Sequence, residues 1–201
     1  MEGYNLATIT KRIYNSGFSL FTLKTLRDVL EVKKESTTFS IVKRLIKAGV
    51  LVRIEKNKYL LRDAKVSDFA LANFIYQPSY ISFESALNFY GILSQFPHNI
   101  SSATIKKATE KVFQSKGFAY THIKRDLFWG YEKKEDFIIA FPEKALLDQL
   151  YIATKGYKRA DLDEYDLDRI NIPRLKDYLK RYSKTRQFKI AIKTLKKYLP
   201  V

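Results

Sequence analysis

The 201-residue chain contains no cysteine, which excludes disulfides, thiol nucleophiles and cysteine-rich zinc sites. Its two histidines, His98 and His122, do not have the separation of a metal-ligand pair. No apolar run approaches the roughly 18–20 residues that a membrane span requires. The opening MEGYNLATITKR lacks the apolar core of a secretory signal, so the cytoplasm is the expected compartment. No paired-aspartate metal loop and no phosphate-binding glycine loop occurs. Neither a metal nor an organic cofactor is expected.

What is present is a well-supplied core and an excess of positive charge. Hydrophobic residues make up 46% of the chain, with 14 Phe and 14 Tyr, which is not the composition of a disordered segment. The length suits one large or two small domains. Net charge is +16, and it is unevenly placed. Residues 1–64 carry 13 Lys/Arg against 6 Asp/Glu, residues 65–157 carry 11 against 9, and residues 158–201 carry 13 against 6. Two basic ends around a nearly neutral middle suit a polyanionic partner gripped from both ends. A membrane surface or an acidic protein would also suit them.

The most informative stretch is 36–62, STTFSIVKRLIKAGVLVRIEKNKYLLR. Wound as a helix over 37–48, it places Phe39, Ile41, Val42, Leu45, Ile46 and Ala48 on one half of the wheel. Thr37, Ser40, Lys43, Arg44 and Lys47 fill the other half without an acid among them. Gly49 stands at the C′ position. Residues 50–54 and 59–62 then read as two short strands, with a turn over 55–58. A helix over 4–15 and another over 23–30, the second capped by Thr22, precede this stretch. Three helices and a hairpin in this order make a winged helix-turn-helix over residues 1–64, whose third helix enters the major groove of DNA. Most basic helical faces meet only water; here seven of the thirteen cations of residues 1–64 fall in the third helix and the wing. Thr37, Ser40 and Arg44 are the candidates for base edges. Lys43, Lys47, Lys56 and Lys58 are the candidates for phosphates.

Residues 65–201 have mixed periodicity. Helices are predicted over 68–76, 82–90 and 142–151, with Ser82 capping the second and Pro142 opening the third. Residues 80–81 read as a short extended piece, and alternation predicts strands at 100–105, 111–115, 118–124, 129–131 and 137–141. The fold class is thus α+β, with a small antiparallel sheet and helices at the C-terminus. Glu84 is a lone acid, suited to capping or solvation. Lys144 and Asp148 are spaced to pair on one helix. Trp129 and its aromatic neighbours are expected in the core. The tail from 171 to 201 holds ten Lys/Arg and one acid, Asp177. Its last helix turns Phe188, Ala191, Ile192, Leu195 and Leu199 inward. Arg186, Lys189, Lys193, Lys196 and Lys197 form a second basic surface, suited to a phosphate backbone or an acidic partner.

Three stretches carry a family resemblance: YISFESALNFYG at 80–91, SAT at 102–104 and FPEKALLD at 141–148. With the N-terminal pattern, they resemble the AbiEi family, antitoxins and transcriptional repressors of abortive-infection phage-defence systems. The likeness covers most of the chain. Two positions depart from it: Asn57-Lys58 precedes Tyr59 where a glycine is frequent, and Ala140-Phe141 stands where Ala-Thr is frequent. The resemblance implies a non-enzymatic, bifunctional protein. Residues 1–64 would bind double-stranded DNA at inverted repeats in the protein's own promoter, and residues 65–201 would oppose a nucleotidyltransferase-like toxin. In this type IV arrangement, no stable antitoxin–toxin complex is required. Two alternatives remain: a winged-helix regulator with a ligand-sensing or dimerising C-terminal domain, and a defence-associated nuclease using Glu84, Glu143, Lys144 and Asp148. No local motif brings those four residues together.

Overall fold

The structure is a computed structural model that describes residues 5–157, 160–182 and 185–199. Among these residues the fold is α+β, with eight α-helices and two sheets. The chain divides into two compact units, Met1–Ser67 and Asp68–Val201.

In the first unit, α1 spans Leu6–Asn15, β1 Leu20–Thr22, α2 Leu23–Val29 and α3 Glu35–Lys47. The hairpin strands β2 (Leu51–Glu55) and β3 (Lys58–Leu61) follow. Tyr4, included in the predicted first helix, lies outside the described residues. Asn5 caps α1 by accepting from the Ala7 amide, and Thr22 caps α2 by accepting from the Thr25 amide. The sheet order is β1-β3-β2, all antiparallel. Strand β1 goes unpredicted because three residues are too few to display a period. It contributes Phe21, which is wholly buried beside Ile13, Leu26, Ile41, Leu45 and Leu51. Burying each such side chain stabilises by about 1.5–3 kcal/mol before the cost of ordering it. Gly49, just past α3, takes φ +74°, a left-handed conformation that turns the chain into β2.

The second unit contains α4 (Asp68–Ile75), β4 (Ser79–Ile81), α5 (Phe83–Phe89), β5 (Asn99–Thr104), β6 (Thr109–Phe113) and β7 (Lys116–His122). It continues with β8 (Tyr131–Lys134), β9 (Phe137–Ala140), α6 (Pro142–Ala153), α7 (Ile172–Leu179) and α8 (Arg186–Leu195). The predicted antiparallel sheet is corrected here. Six strands run in the order β6-β7-β5-β4-β9-β8, and the β5–β7 and β4–β9 pairs are parallel. Strand alternation has the same period in either direction, so it carries no signal of the pairing sense. Trp129 and Gly130 precede β8 instead of joining it, because Gly130 takes φ +73°.

Helix α6 is the centre of this unit. Ten of its residues, 143–152, are buried, polar ones included. The Lys144 ammonium donates to the Oδ1 atom of Asp148 and to the Tyr80 hydroxyl. Asp148 also accepts from the hydroxyls of Tyr80, Ser82 and Tyr182, each at 2.9 Å. Ser82 therefore faces Asp148 rather than capping α5 with its side chain, as the sequence predicts. The Lys144 ammonium also lies 5.2–5.4 Å from the ring centroids of Tyr80, Trp129 and Tyr182. Desolvation pulls the Lys144 amine below its ordinary range, against the pull of Asp148. Burial and the Asp148 charge push the Tyr80 and Tyr182 hydroxyls well above theirs. Each polar group of the Lys144–Asp148 cluster thus has a partner, as burial demands.

Candidate nucleic-acid interface

Helix α3 begins two residues earlier than the sequence predicts. Its buried side is Thr38, Ile41, Val42 and Leu45. The predicted apolar half is therefore rotated: Thr38 is 0% exposed, whereas Phe39 is 43% exposed and Ala48 faces solvent. Thr38 tolerates burial because its hydroxyl donates to the Lys34 carbonyl one turn back. A hydrophobicity-centred wheel cannot register that satisfaction.

Of the residues suggested for DNA, Ser40, Lys43, Arg44 and Lys47 are all exposed along the side opposite the core. Thr37 is half-buried on the flank. The Ser40 hydroxyl donates to the Ser36 carbonyl at 3.2 Å, leaving its lone pairs for an outside donor. Glu35 brings an exposed acid into the first helical turn, where the helix dipole favours it. It lines a cleft with Leu23, Lys24 and Arg27 of α2.

The hairpin turn is shorter than predicted, consisting of Lys56 and Asn57 alone. Asn57 adopts φ +59°, a conformation that asparagine tolerates better than other side chains and glycine better still. Its carbonyl accepts from the Leu23 amide at 3.0 Å, which ties the turn to the start of α2. Lys56 is exposed at the tip. Lys58 instead lies within β3, half-buried, with its Cα opposite those of Glu55 and Thr22. The two lysines, equivalent in sequence, occupy different surroundings.

Two further residues join the candidate surface. Phe39, Val42, Lys43 and Ile46 of α3 form one wall of a groove, and Arg53 and Tyr59 of the hairpin form the other. Burial raises the Tyr59 hydroxyl, while the nearby Arg53 guanidinium acts to lower it. Arg53 is exposed, so a cation from each wall borders this groove. The alternation of β2 was the available signal for Arg53, since it places that residue opposite in sense to Val52 and Ile54.

In the second unit, Arg186, Lys189, Lys193, Lys196 and Lys197 are all exposed, while Phe188 and Leu195 are buried. Trp129 is half-buried, its ring edge-on to Tyr178 at 4.8 Å and its indole N–H donating to the Asp126 carbonyl. Glu84 accepts from Gln149 at 3.0 Å, and Glu143 accepts from the Asn171 amide at 2.8 Å. Asp148 and Lys144 are fully buried. Among the described residues, no group of three or more His, Cys, Asp or Glu could hold a metal ion. No helix there is long and apolar enough to cross a membrane.

The chain matches no protein-family model and no curated protein.

Proposed function

We propose that this protein is a DNA-binding autorepressor and antitoxin of the AbiEi kind, acting without catalysis. The first unit serves as a winged helix-turn-helix, with α3 as the recognition helix and β2–β3 as the wing. The observation that carries this reading is one exposed helical side. Ser40, Lys43, Arg44 and Lys47 all face solvent, on a helix whose opposite side is fixed by buried Thr38, Ile41, Val42 and Leu45. A rigid helix presenting three cations and a hydroxyl supplies both phosphate contacts and base-edge donors. Lys56 at the hairpin tip, with Arg53 and Lys43 bordering the adjacent groove, extends the same chemistry.

The antitoxin part rests on the resemblance at 80–91, 102–104 and 141–148. In the structure, Phe83, Ala86, Leu87, Lys144 and Asp148 from these stretches are buried. They specify a scaffold; toxin opposition is assigned to its surface. The proposed partner is a nucleotidyltransferase-like toxin encoded with it, with no stable complex needed.

The test is a gel shift on the DNA upstream of the protein's own reading frame, with co-expression of the adjacent gene. Specific binding to inverted repeats, lost in the joint Lys43→Ala, Arg44→Ala variant, is the expected result. Equal affinity for unrelated DNA of the same length would refute the repressor assignment. Growth arrest by the neighbouring gene that this protein leaves unrelieved would refute the antitoxin assignment.

A further inference from the structure

The basic helix α8 borders a groove that its lysines alone do not explain. Tyr182 and Phe188 form the floor, their rings stacked with centroids 5.4 Å apart. Leu179 of α7 and Ile192 of α8 form the apolar sides. Lys189, Lys193 and Lys196 stand along one rim, and among the described residues no acid lines the groove, whose volume is about 330 Å³. The three lysines fall at i, i+4 and i+7, a row about 10 Å long on a helix rising 1.5 Å per residue. Their aliphatic stems extend the apolar wall while their ammonium groups stay in water.

From this geometry we infer that the groove between α7 and α8 docks an acidic amphipathic helix of another protein. Leucine-like side chains would enter over Tyr182 and Phe188. Carboxylates at matching i, i+4, i+7 spacing would meet the three lysines. Helix-in-groove recognition lays an apolar helical face into an apolar channel, and the lysine rim adds a match for carboxylates. A nucleic-acid backbone would use the lysines and leave the apolar channel in water. The chain's own acidic ridge is a poor occupant. Asp161, Asp163, Glu164, Asp166 and Asp168 are exposed, but the intervening Leu162 and Leu167 are buried in the fold, so a second copy has neither leucine to offer from there. The inference does not rest on DNA binding by α3.

The full chain is titrated against a fluorescein-labelled peptide of about 15 residues that places Leu on one helical face and Glu on the adjoining one. A second peptide has the same composition in shuffled order. The amphipathic peptide is expected to bind at least about tenfold more tightly than the shuffled one. The joint Lys189→Glu, Lys193→Glu variant should lose about tenfold or more, and Ile192→Ser about fivefold. The joint Arg186→Glu, Lys197→Glu variant, with the same charge change off the groove, should lose less than about twofold. The lysine positions are exposed, so these variants keep the fold and the test stands even where Ile192→Ser does not. Equal binding of the shuffled peptide, or equal loss in the two charge-reversed variants, overturns the inference. It is also overturned if duplex DNA displaces the peptide and loses affinity in the same groove variant. A dimer in sedimentation that the groove variant dissolves would assign the groove to a second copy and overturn it too.

Discussion

The Tyr182 hydroxyl donates to the Oδ1 atom of Asp148 at 2.9 Å, across 34 residues of chain and with both side chains buried. Tyr182 follows α7 and stacks on Phe188 of α8, so this bond ties both C-terminal helices to the buried middle of α6. Hydrogen bonds to a charged acceptor contribute about 1.5–3 kcal/mol. Tyr182→Phe should therefore lower the unfolding free energy by about that amount in urea while leaving the transition cooperative. A loss below about 0.5 kcal/mol would mean that only the ring contributes.

Lys144 and Asp148 form a fully buried ion pair. Removing one partner leaves an uncompensated charge, so Lys144→Met should destabilise by about 3–5 kcal/mol. Adding Asp148→Leu removes that stranded charge. The double variant should be less damaged than the sum of the singles by about 1–3 kcal/mol, even though three hydroxyls lose their acceptor. Strict additivity in denaturant titrations would argue that the pair is not coupled.

The same cluster sets an alkaline limit. Burial and the Asp148 charge raise Tyr80 and Tyr182 well above the ordinary 10.0 of a tyrosine. Above that pH the unfolded chain sheds protons that the folded chain keeps. Their contribution is thus complete below about pH 10 and lost as pH rises further. Burial lowers the Lys144 amine, so its effect has the opposite sign: between its depressed folded value and 10.5, the unfolded chain holds the extra proton and stability rises with pH. Two tyrosines outweigh one lysine once pH exceeds 10. Urea midpoints should fall steeply there, together with a late phenolate absorbance step. Tyr182→Phe should make the fall shallower.

On the proposed DNA surface, Arg44→Ala should cost about 1–3 kcal/mol of operator binding and relax sequence preference. Lys56 and Lys58 should separate. Lys56→Ala, at the exposed tip, should reduce the salt slope of log affinity by about 1, while Lys58→Ala, opposite Glu55 in the sheet, should change it less. Equal slopes for the two variants would show that the hairpin does not approach phosphate tip-first.

Local rules in the sequence settled a good deal. Thr22 next to Leu23 and Leu26 marked the start of α2, and Gly49 marked the end of α3, because caps and left-handed turns depend on neighbours only. Alternation found most of the strands, and the contrast between apolar and basic residues found α8 and the exposed lysines on α3. Direction of strand pairing was not written locally: β5 pairs in parallel with β7, and β4 with β9, through connections that set no period. The exact facing of α3 also depended on the tertiary fold. Thr38, rather than Phe39, packs inward because its hydroxyl is satisfied within the helix. The largest omission was the cluster on α6. An i,i+4 Lys–Asp pair has the same spacing whether it lies in water or in a core. Only the packing of α5, α7 and β4 around Lys144 and Asp148 delivered Tyr80, Ser82 and Tyr182 and so decided that this pair is buried.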